Sequence, residues 1–552
     1  MKNLLIFVSY LFLALFLVYP LLWLLPQGLL VNGRFSLSIF SSVLCNSLVL
    51  RSLFNSLLLA VFTLAGTTLV GIPLALLLTR YSFPGANFYR LVFILPVIIS
   101  PFVGAIGMQQ FLARFGSLNL LLLRLRIMHT PIPWLGSGLL GIAILQILHL
   151  YPIMYLNISA AMANFDRSCE EASASLGASP WQTFRHISFP LLRPGYFAAS
   201  AIIFIWSLTD LGTPLVFEYT QLLPVQIFNA LKDVNINPAG YSLVLIVLLL
   251  SSVLFLLTKK TVERSIYTTG RTPFPLTKEV LSGTKRLAVC FVLFFLAAVS
   301  LLPHLSVILS SFAQRWFFSI LPSDYSFRHY LKVLNHPLTR TGIINSLFFS
   351  ILATGVDIIF GLTIGFLLIR HQFRSKSLLD TLAMTPLAIP GIALGFSYCT
   401  AFSRTWVDPR KNPVVLLVAA YAVRRLPYLV RSACASFQQL NEQLEEASAS
   451  LGAKPRTTFR QIVLPLITPG LISGGIMVFA FSMLEVSSSL VLAFQEKFFP
   501  LAKVIYSLAG RLTDGPGIAS ALGVLGMILL ALCLFLTSRF GGRQIRDFFR
   551  TG

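Results

Sequence analysis

Apolar runs long enough to cross a bilayer recur along the whole chain. A helix needs roughly 20 predominantly apolar residues to span the hydrocarbon core. Twelve segments qualify: 4–25, 52–79, 91–112, 138–160, 197–217, 241–258, 287–312, 343–369, 380–402, 413–431, 471–494 and 518–538. A transmembrane β-barrel would instead alternate apolar and polar positions over segments of about ten residues, and no such pattern occurs. The expectation is an all-α polytopic membrane protein. Its first run, MKNLLIFVSYLFLALFLVYPLLWLL, is too long for the core of a signal peptide and lacks a small-residue cleavage site, so it reads as an uncleaved first span.

The pattern is written twice. NSLLLAVFTLAGTTLVGIPLALLLTR, from Asn55 to Arg80, matches NSLFFSILATGVDIIFGLTIGFLLIR, from Asn345 to Arg370, at an offset of 290. LPVIISPFVGAIG around Pro96 matches TPLAIPGIALGFS around Pro386 at the same offset. Further on the offset falls to 275, because the first half carries the extra stretch around Ala113 to Trp134. There EEASASLGASPWQTFRHISFPLLRPG (170–195) and EEASASLGAKPRTTFRQIVLPLITPG (445–470) agree at 18 of 26 positions. The chain therefore divides into a first half at 1–258, a polar linker at 259–286 and a second half at 287–552. With six spans each the halves are parallel repeats, related by an axis along the membrane normal. Such a pair implies a pathway between the halves.

Composition agrees: 56% of the 552 residues are hydrophobic and 11% charged, against about 25% charged in soluble domains. The net charge of +23 would suit nucleic acid, but the basic residues sit in loops, where they read as topology signals. With the N-terminus inside and every span crossing, 26 of the 42 Lys and Arg fall on the cytoplasmic side, as the positive-inside rule asks. They include Lys259, Lys260, Arg264, Arg271, Lys278, Lys285 and Arg286 of the linker and Arg539, Arg543, Arg546 and Arg550 of the tail. Both termini are then cytoplasmic. Six scattered cysteines, Cys45, Cys169, Cys290, Cys399, Cys434 and Cys533, give neither a disulfide framework nor a metal site.

The repeated polar segment lies between the fourth and fifth spans of each half, on the cytoplasmic side. Glu170 to Leu176 reads as a short helix that Gly177 ends with a positive φ. Ser179, Pro180 and Gln182 form a capping box for a second helix; Lys454 replaces the capping serine in the second copy and weakens that start. Trp181, Phe184 and Ile187, echoed by Phe459 and Ile462, form an apolar stripe. Pro190 and Pro465 are expected to break the helix, and Pro194-Gly195 and Pro469-Gly470 to redirect the chain into the next span. An elbow lying in the headgroups is one reading. The other is a surface for a cytosolic partner present twice, which explains why the segment is preserved better than the spans around it.

Glu171-Ala172-Ser173…Gly177 with Phe184, Ile187 and Pro190, and Glu446-Ala447-Ser448…Gly452 with Phe459, Ile462, Leu464 and Pro465, resemble the EAA loops of type I ABC importer permeases. Both copies have Ser where that pattern has its second Ala, and Phe189 stands for a Leu. The resemblance covers nearly all the chain. It implies the type I permease fold, with each loop a coupling helix docked in a cleft of one of two copies of a cytosolic ATPase, and a periplasmic or surface-tethered binding protein delivering the solute. Glu170, Glu171, Ala172, Gly177, Phe184 and Pro190, with Glu445, Glu446, Ala447, Gly452, Phe459 and Pro465, are the expected coupling residues. The glutamates would offer charge-assisted hydrogen bonds to the cleft. No Gly-Lys pair occurs, which excludes a Walker A loop; ATP is expected on the partner, with no cofactor or metal on this chain, no enzymatic activity and no nucleic-acid partner.

The fused two-half form resembles the subgroup that carries ferric iron, thiamine or phosphonates, and WSLTDLGTPLVF (Trp206 to Phe217) looks most like the iron(III) branch. Asp210 and Glu485 lie 275 apart, at corresponding places in spans five and eleven. Carboxylates inside spans are functional candidates: they either face the pathway and attract a cation, or pair with neighbours to fix helix packing. The rival class is an ion-gradient-driven secondary transporter with parallel repeats, whose strongest internal similarity would fall in the spans that line its pathway. A non-transporting scaffold explains neither the halves nor the two carboxylates.

Overall fold

Proline and glycine decide where the apolar runs stop being straight helices. The computed structural model describes residues 2–31, 34–35, 38–97, 100–134, 138–163, 168–232, 238–266, 279–316, 318–511 and 515–540. Of the basic residues named above, Arg271 and Lys278 of the linker and Arg543, Arg546 and Arg550 of the tail lie outside them.

The first half runs through α1 (Lys2–Leu29), α2 (Ser47–Arg80), α3 (Pro101–Leu112), α4 (Leu139–Ala163), α5 (Ser168–Ser175), α6 (Pro180–Thr183), α7 (Phe189–Thr209), α8 (Gly212–Val216) and α9 (Pro238–Ile266). The second runs through α10 (Gly283–Phe312), α11 (Pro337–Arg370), α12 (Lys376–Met384), α13 (Gly391–Ala401), α14 (Val414–Gln439), α15 (Gln443–Ser450), α16 (Pro455–Thr458), α17 (Leu464–Met483), α18 (Ser487–Leu492) and α19 (Gly515–Phe540). Among the described residues nine helices are long and apolar enough to cross a membrane, and two bent pairs bring the number to eleven.

Two expectations change here. The runs at 91–112 and 380–402 are not single straight helices. In the second, Lys376–Leu387 and Gly391–Ala401 meet at 104°, because Pro386 and Pro390 remove backbone donors and push the residues before them out of the α region. The first breaks at the matching Pro96 and at Pro101. The run at 413–431 is the helix α14, but Arg424, Arg425 and Arg431 within it leave it less apolar than the other spans.

The chain folds into two compact units, and they are not the two sequence halves. One unit gathers Met1–Ser47, Gln226–Leu248 and Phe327–Arg546; the other is built mainly of Leu48–Val225 and Leu249–Ser326. The first span thus belongs with the second half and the seventh with the first half. In the former unit α11 packs on α14 and α17, α17 on α19, and the second part of α1 on α13. The ring of Phe12 stacks on Phe360 at 4.0 Å, and the Tyr398 hydroxyl donates to the Phe16 carbonyl at 2.6 Å. In the latter unit α4 packs on α7, and α10 on α3. Leu293 and Ala297 of α10 enter the same buried cluster as Leu74, Phe93, Tyr151 and Tyr155. The sequence offered no sign of this exchange, since α1 and α10 carry no segment that pairs them with one bundle rather than the other.

Within each unit the same close approach sets the helix spacing. A Cβ on Gly71 would meet Met154 at 2.7 Å, and one on Gly361 would meet Leu429 at 2.8 Å. These are matching positions of the two copies. Small residues let membrane helices approach closely enough for dispersion to hold them.

Candidate functional site

The two repeated loops fold alike. In the first, α5 ends in a Schellman turn: the Gly177 amide donates to the Ala174 carbonyl at 3.0 Å and the Ala178 amide to the Ser173 carbonyl at 3.1 Å. Gly452 and Ala453 repeat both bonds, at 2.9 and 3.1 Å. Gly177 and Gly452 have φ of +83° and +82°, and a Cβ at either would meet open space. Glycine is therefore required here for its backbone freedom and not for room.

Across the turn the two limbs are pinned by one hydrogen bond in each copy. The Ser173 and Thr183 hydroxyls are 2.9 Å apart, and so are those of Ser448 and Thr458. That pairing explains the Ser in place of the second Ala of the EAA pattern: the serine is buried and bonded to a threonine ten residues on. The capping box of Ser179 and Gln182 is present, and Lys454 makes no side-chain cap bond.

The prolines act differently from expectation. Pro190 and Pro465 sit in the first turn of α7 and α17, and Pro194 and Pro469 lie inside those helices. The second limb is not broken; a π-turn at Phe184–Ser188, and another at Phe459–Val463, joins it to the span. A π-turn absorbs a proline's missing donor by shifting the bonds to i→i+5. Gly195 and Gly470 are not turns either. They are helix contacts, where a Cβ would meet the Asn157 carbonyl oxygen at 2.8 Å and the Ser436 side chain. Each loop is therefore the rigid end of the span that follows it.

An arginine at the end of the second span of each half tethers the loop. Arg80 closes α2 and pairs with Glu170, which also accepts from the Ser188 hydroxyl. Arg370 closes α11 and donates to Glu445 at 3.0 Å, to Glu442 at 2.8 Å and to the Leu440 carbonyl at 3.1 Å. Glu170 and Glu445 thus face their own half, already engaged. Glu171, Ala172, Glu446 and Ala447 face solvent. The aromatic stripe divides in the same way. Phe184 and Phe459 are half-buried, Phe459 against Phe366 at 6.1 Å and the cluster of Phe437, Val463 and Ile467, and Trp181 lies over Phe184 at 5.8 Å with 66% of its surface exposed.

Sequence reasoning missed the most prominent apolar groups at the tips. Leu176 and Leu451, directly before the turn glycines, are 88% and 89% exposed. The available signal was a leucine shared by two otherwise polar segments.

Asp210 and Glu485 occupy matching breaks in the fifth and eleventh spans. Asp210 follows α7, and its Oδ1 accepts from the Gly212 amide at 3.1 Å at the start of α8. Its Oδ2 accepts from Gln146 Nε2 at 3.2 Å, and Gln146 Oε1 in turn accepts from Thr63 and Ser207. Glu485 precedes α18 and accepts from the Ser488 amide at 3.4 Å. Its two oxygens also pair with Arg424 and with Arg425. Both carboxylates cap the short helix after a break; Glu485 adds an ion-pair cluster that Asp210 lacks among the described residues. A further carboxylate was overlooked in the sequence. Asp357, in the middle of α11, is fully buried with neither oxygen hydrogen-bonded among the described residues, and Arg425 is its charged neighbour. Thr67 holds the matching place in the first half.

A multi-pass helical protein, duplicated, with two matching loops presented at the ends of matching spans, has the architecture of a membrane permease. Residues 67–266 and 357–546 match the family model described as binding-protein-dependent transport system inner membrane component, and the chain belongs to that family. It is 29% identical over 541 residues to a ferric transport system permease protein FbpB of Actinobacillus pleuropneumoniae, covering 96% of this chain and 77% of that one. It is 30% identical over 484 residues to a putative ferric transport system permease protein FbpB 1 of Haemophilus influenzae, covering 86% and 76%. Among solved structures, a bacterial ABC transporter involved in the import of the acidic polysaccharide alginate matches 49% of this chain and 99% of its own at 16% identity, with a TM-score of 0.36. The chain is thus the permease of an ABC importer, and the secondary-transporter reading falls away.

Proposed function

We propose that this permease imports iron(III), delivered by a separate binding protein and driven by two copies of one cytosolic ATPase. The observation that carries the solute is coverage. Relatives named for ferric transport match 96% and 86% of the chain, whereas those named for molybdate/tungstate and sulfate match 31% and 30%. Asp210 and Glu485 do not contribute to that choice, because capping and pairing already account for both.

Two near-identical loops favour two identical partners. Their exposed leucines offer apolar knobs, and Glu171 and Glu446 offer charge on the same face. Glu170, Glu445, Phe184, Phe459, Pro190 and Pro465 act from behind, by holding each loop to its span. Closure of the ATPase pair would then move α7 and α17 as levers. The loops and both termini lie in the cytoplasm, the chain binds no cofactor, and catalysis rests with the ATPase.

Uptake of radiolabelled iron by cells with and without this chain, competed by thiamine and by phosphonates, tests the solute. Iron uptake that requires the chain and resists both competitors is expected. Thiamine or phosphonate uptake that requires it, with iron unaffected, would replace the proposal.

A further inference from the structure

We propose that the second half binds the phosphate headgroup of an anionic phospholipid, in a cleft between the end of α11, the start of α12 and the last turns of α14. The cleft encloses about 550 Å³. Its lining combines apolar Leu368, Ile369 and Phe373 with cationic Arg374, Lys376 and Arg431. Asp380 also lines it and pairs with Arg431 at 3.4 Å, which leaves a net charge of +2. An amphipathic cleft of this kind suits an amphiphile with a negative head.

Its level in the molecule points the same way. The apolar stretch of α11 ends at Arg370, and the cleft begins beside it. Lys2 Nζ donates to the Gln372 carbonyl at 2.9 Å and Tyr10 to the Ser375 carbonyl at 2.8 Å, so the start of the first span reaches the same level. The end of an apolar span marks the expected headgroup level, and basic pockets between membrane helices at that depth hold anionic lipid heads.

The repeat supplies its own control. Pro84, Ala86 and Leu156 stand where the second half has Arg374, Lys376 and Arg431. The matching place in the first half is apolar and filled: Leu281 joins Leu78, Phe83 and Ala86 in one buried cluster, and Glu279 and Val280 pair with Tyr81 and Ser82. The fold therefore does not need three cations here; the second half has acquired them beside an open cleft. Because α11 also carries Arg370, which tethers the loop at 445–470, a lipid seated in the cleft touches the helix that holds the loop. The inference rests on this cleft alone and is independent of the solute and of the ATPase.

The test uses the full purified chain in a neutral detergent. Thermal unfolding is followed while dioctanoyl phosphatidylglycerol, dioctanoyl phosphatidylcholine or glycerol phosphate is added. The expected result is a saturable upward shift with phosphatidylglycerol only. Removing a cation near a headgroup weakens binding about fivefold, so Arg374→Gln with Lys376→Gln should raise the midpoint of that titration at least tenfold, and adding Arg431→Gln should raise it further. A control, Arg114→Gln with Arg124→Gln and Arg126→Gln, removes as much charge from the first half and should leave it unchanged. If the triple variant does not fold, the double variant decides. Equal shifts with both lipids, an equal shift with glycerol phosphate, unchanged affinity in the double variant, or an equal loss in the control would each overturn the proposal.

Discussion

Glu485→Gln should destabilise the protein far more than Asp210→Asn, although the two residues occupy the same place in the repeat and both swaps preserve volume. Glu485 is 3% exposed and holds Arg424 and Arg425, whose side chains are 21% and 13% exposed. Removing one partner of a buried pair costs about 3–5 kcal/mol, chiefly because the other charge is left unpaired. Here two guanidinium groups lose their carboxylate, and among the described residues Asp357 is the acidic neighbour left to Arg425. Among the described residues Asp210 pairs with no cation. Asn at 210 keeps an oxygen for the Gly212 amide, and Gln146 Nε2 keeps the Ser207 carbonyl at 3.4 Å, so the loss is one buried hydrogen bond, about 0.5–1.5 kcal/mol. Thermal unfolding of both variants in one detergent, beside wild type, measures the order. Glu485→Gln combined with Arg424→Gln should recover part of the loss, because one fewer unpaired guanidinium remains and Arg425 keeps Asp357 beside it. Equal midpoints for Glu485→Gln and Asp210→Asn would refute the reasoning.

Three other outcomes follow from the loops. Gly177→Ala and Gly452→Ala should each cost about 1 kcal/mol locally, since only the positive φ is penalised, whereas Gly177→Pro and Gly452→Pro also lose the amide that closes the turn and should lower uptake and transport-stimulated ATP hydrolysis at normal membrane abundance. Arg370→Gln should loosen its loop more than Arg80→Gln, because Arg370 holds two glutamates and a carbonyl; limited proteolysis of the two loops compares them, and equal cleavage would count against the tether. Ser448→Ala with Thr458→Val should be milder than Thr458→Val alone, which leaves the Ser448 hydroxyl unpaired, whereas in Ser448→Ala the Thr458 hydroxyl still reaches the Lys454 carbonyl at 3.4 Å; hydrogen exchange at 445–458 reads the difference.

Much of this architecture was legible because membrane helices and internal repeats write long signals. Apolar length gave nine of the twelve spans as single helices and two more as bent pairs among the described residues, and the offsets of 290 and 275 gave the repeat. The turn glycines and the capping box were readable because each has a local cause, a positive φ or a side chain that meets its own backbone. What stayed hidden was non-local. The exchange of α1 and α10 depends on which bundle offers each a complementary face. Glu170 and Glu171 look alike in sequence, and only Arg80, 90 residues away, separates the inward carboxylate from the outward one. Pro190 reads as a breaker because the π-turn that accommodates it has no signature of its own. Asp357 was overlooked inside a segment valued for its match to the first half, where Thr67 stands in its place.

That the two loops are equivalent docking sites, as proposed, is tested most directly by the mass of the complex purified with its ATPase and measured intact. Wild type should carry two ATPase subunits on one copy of this chain. Leu176→Glu or Leu451→Glu should leave one, and the double variant none, with each permease still folded, because both leucines are almost wholly exposed. One ATPase on wild type, two copies of this chain in the complex, or two ATPases retained by the double variant would contradict it.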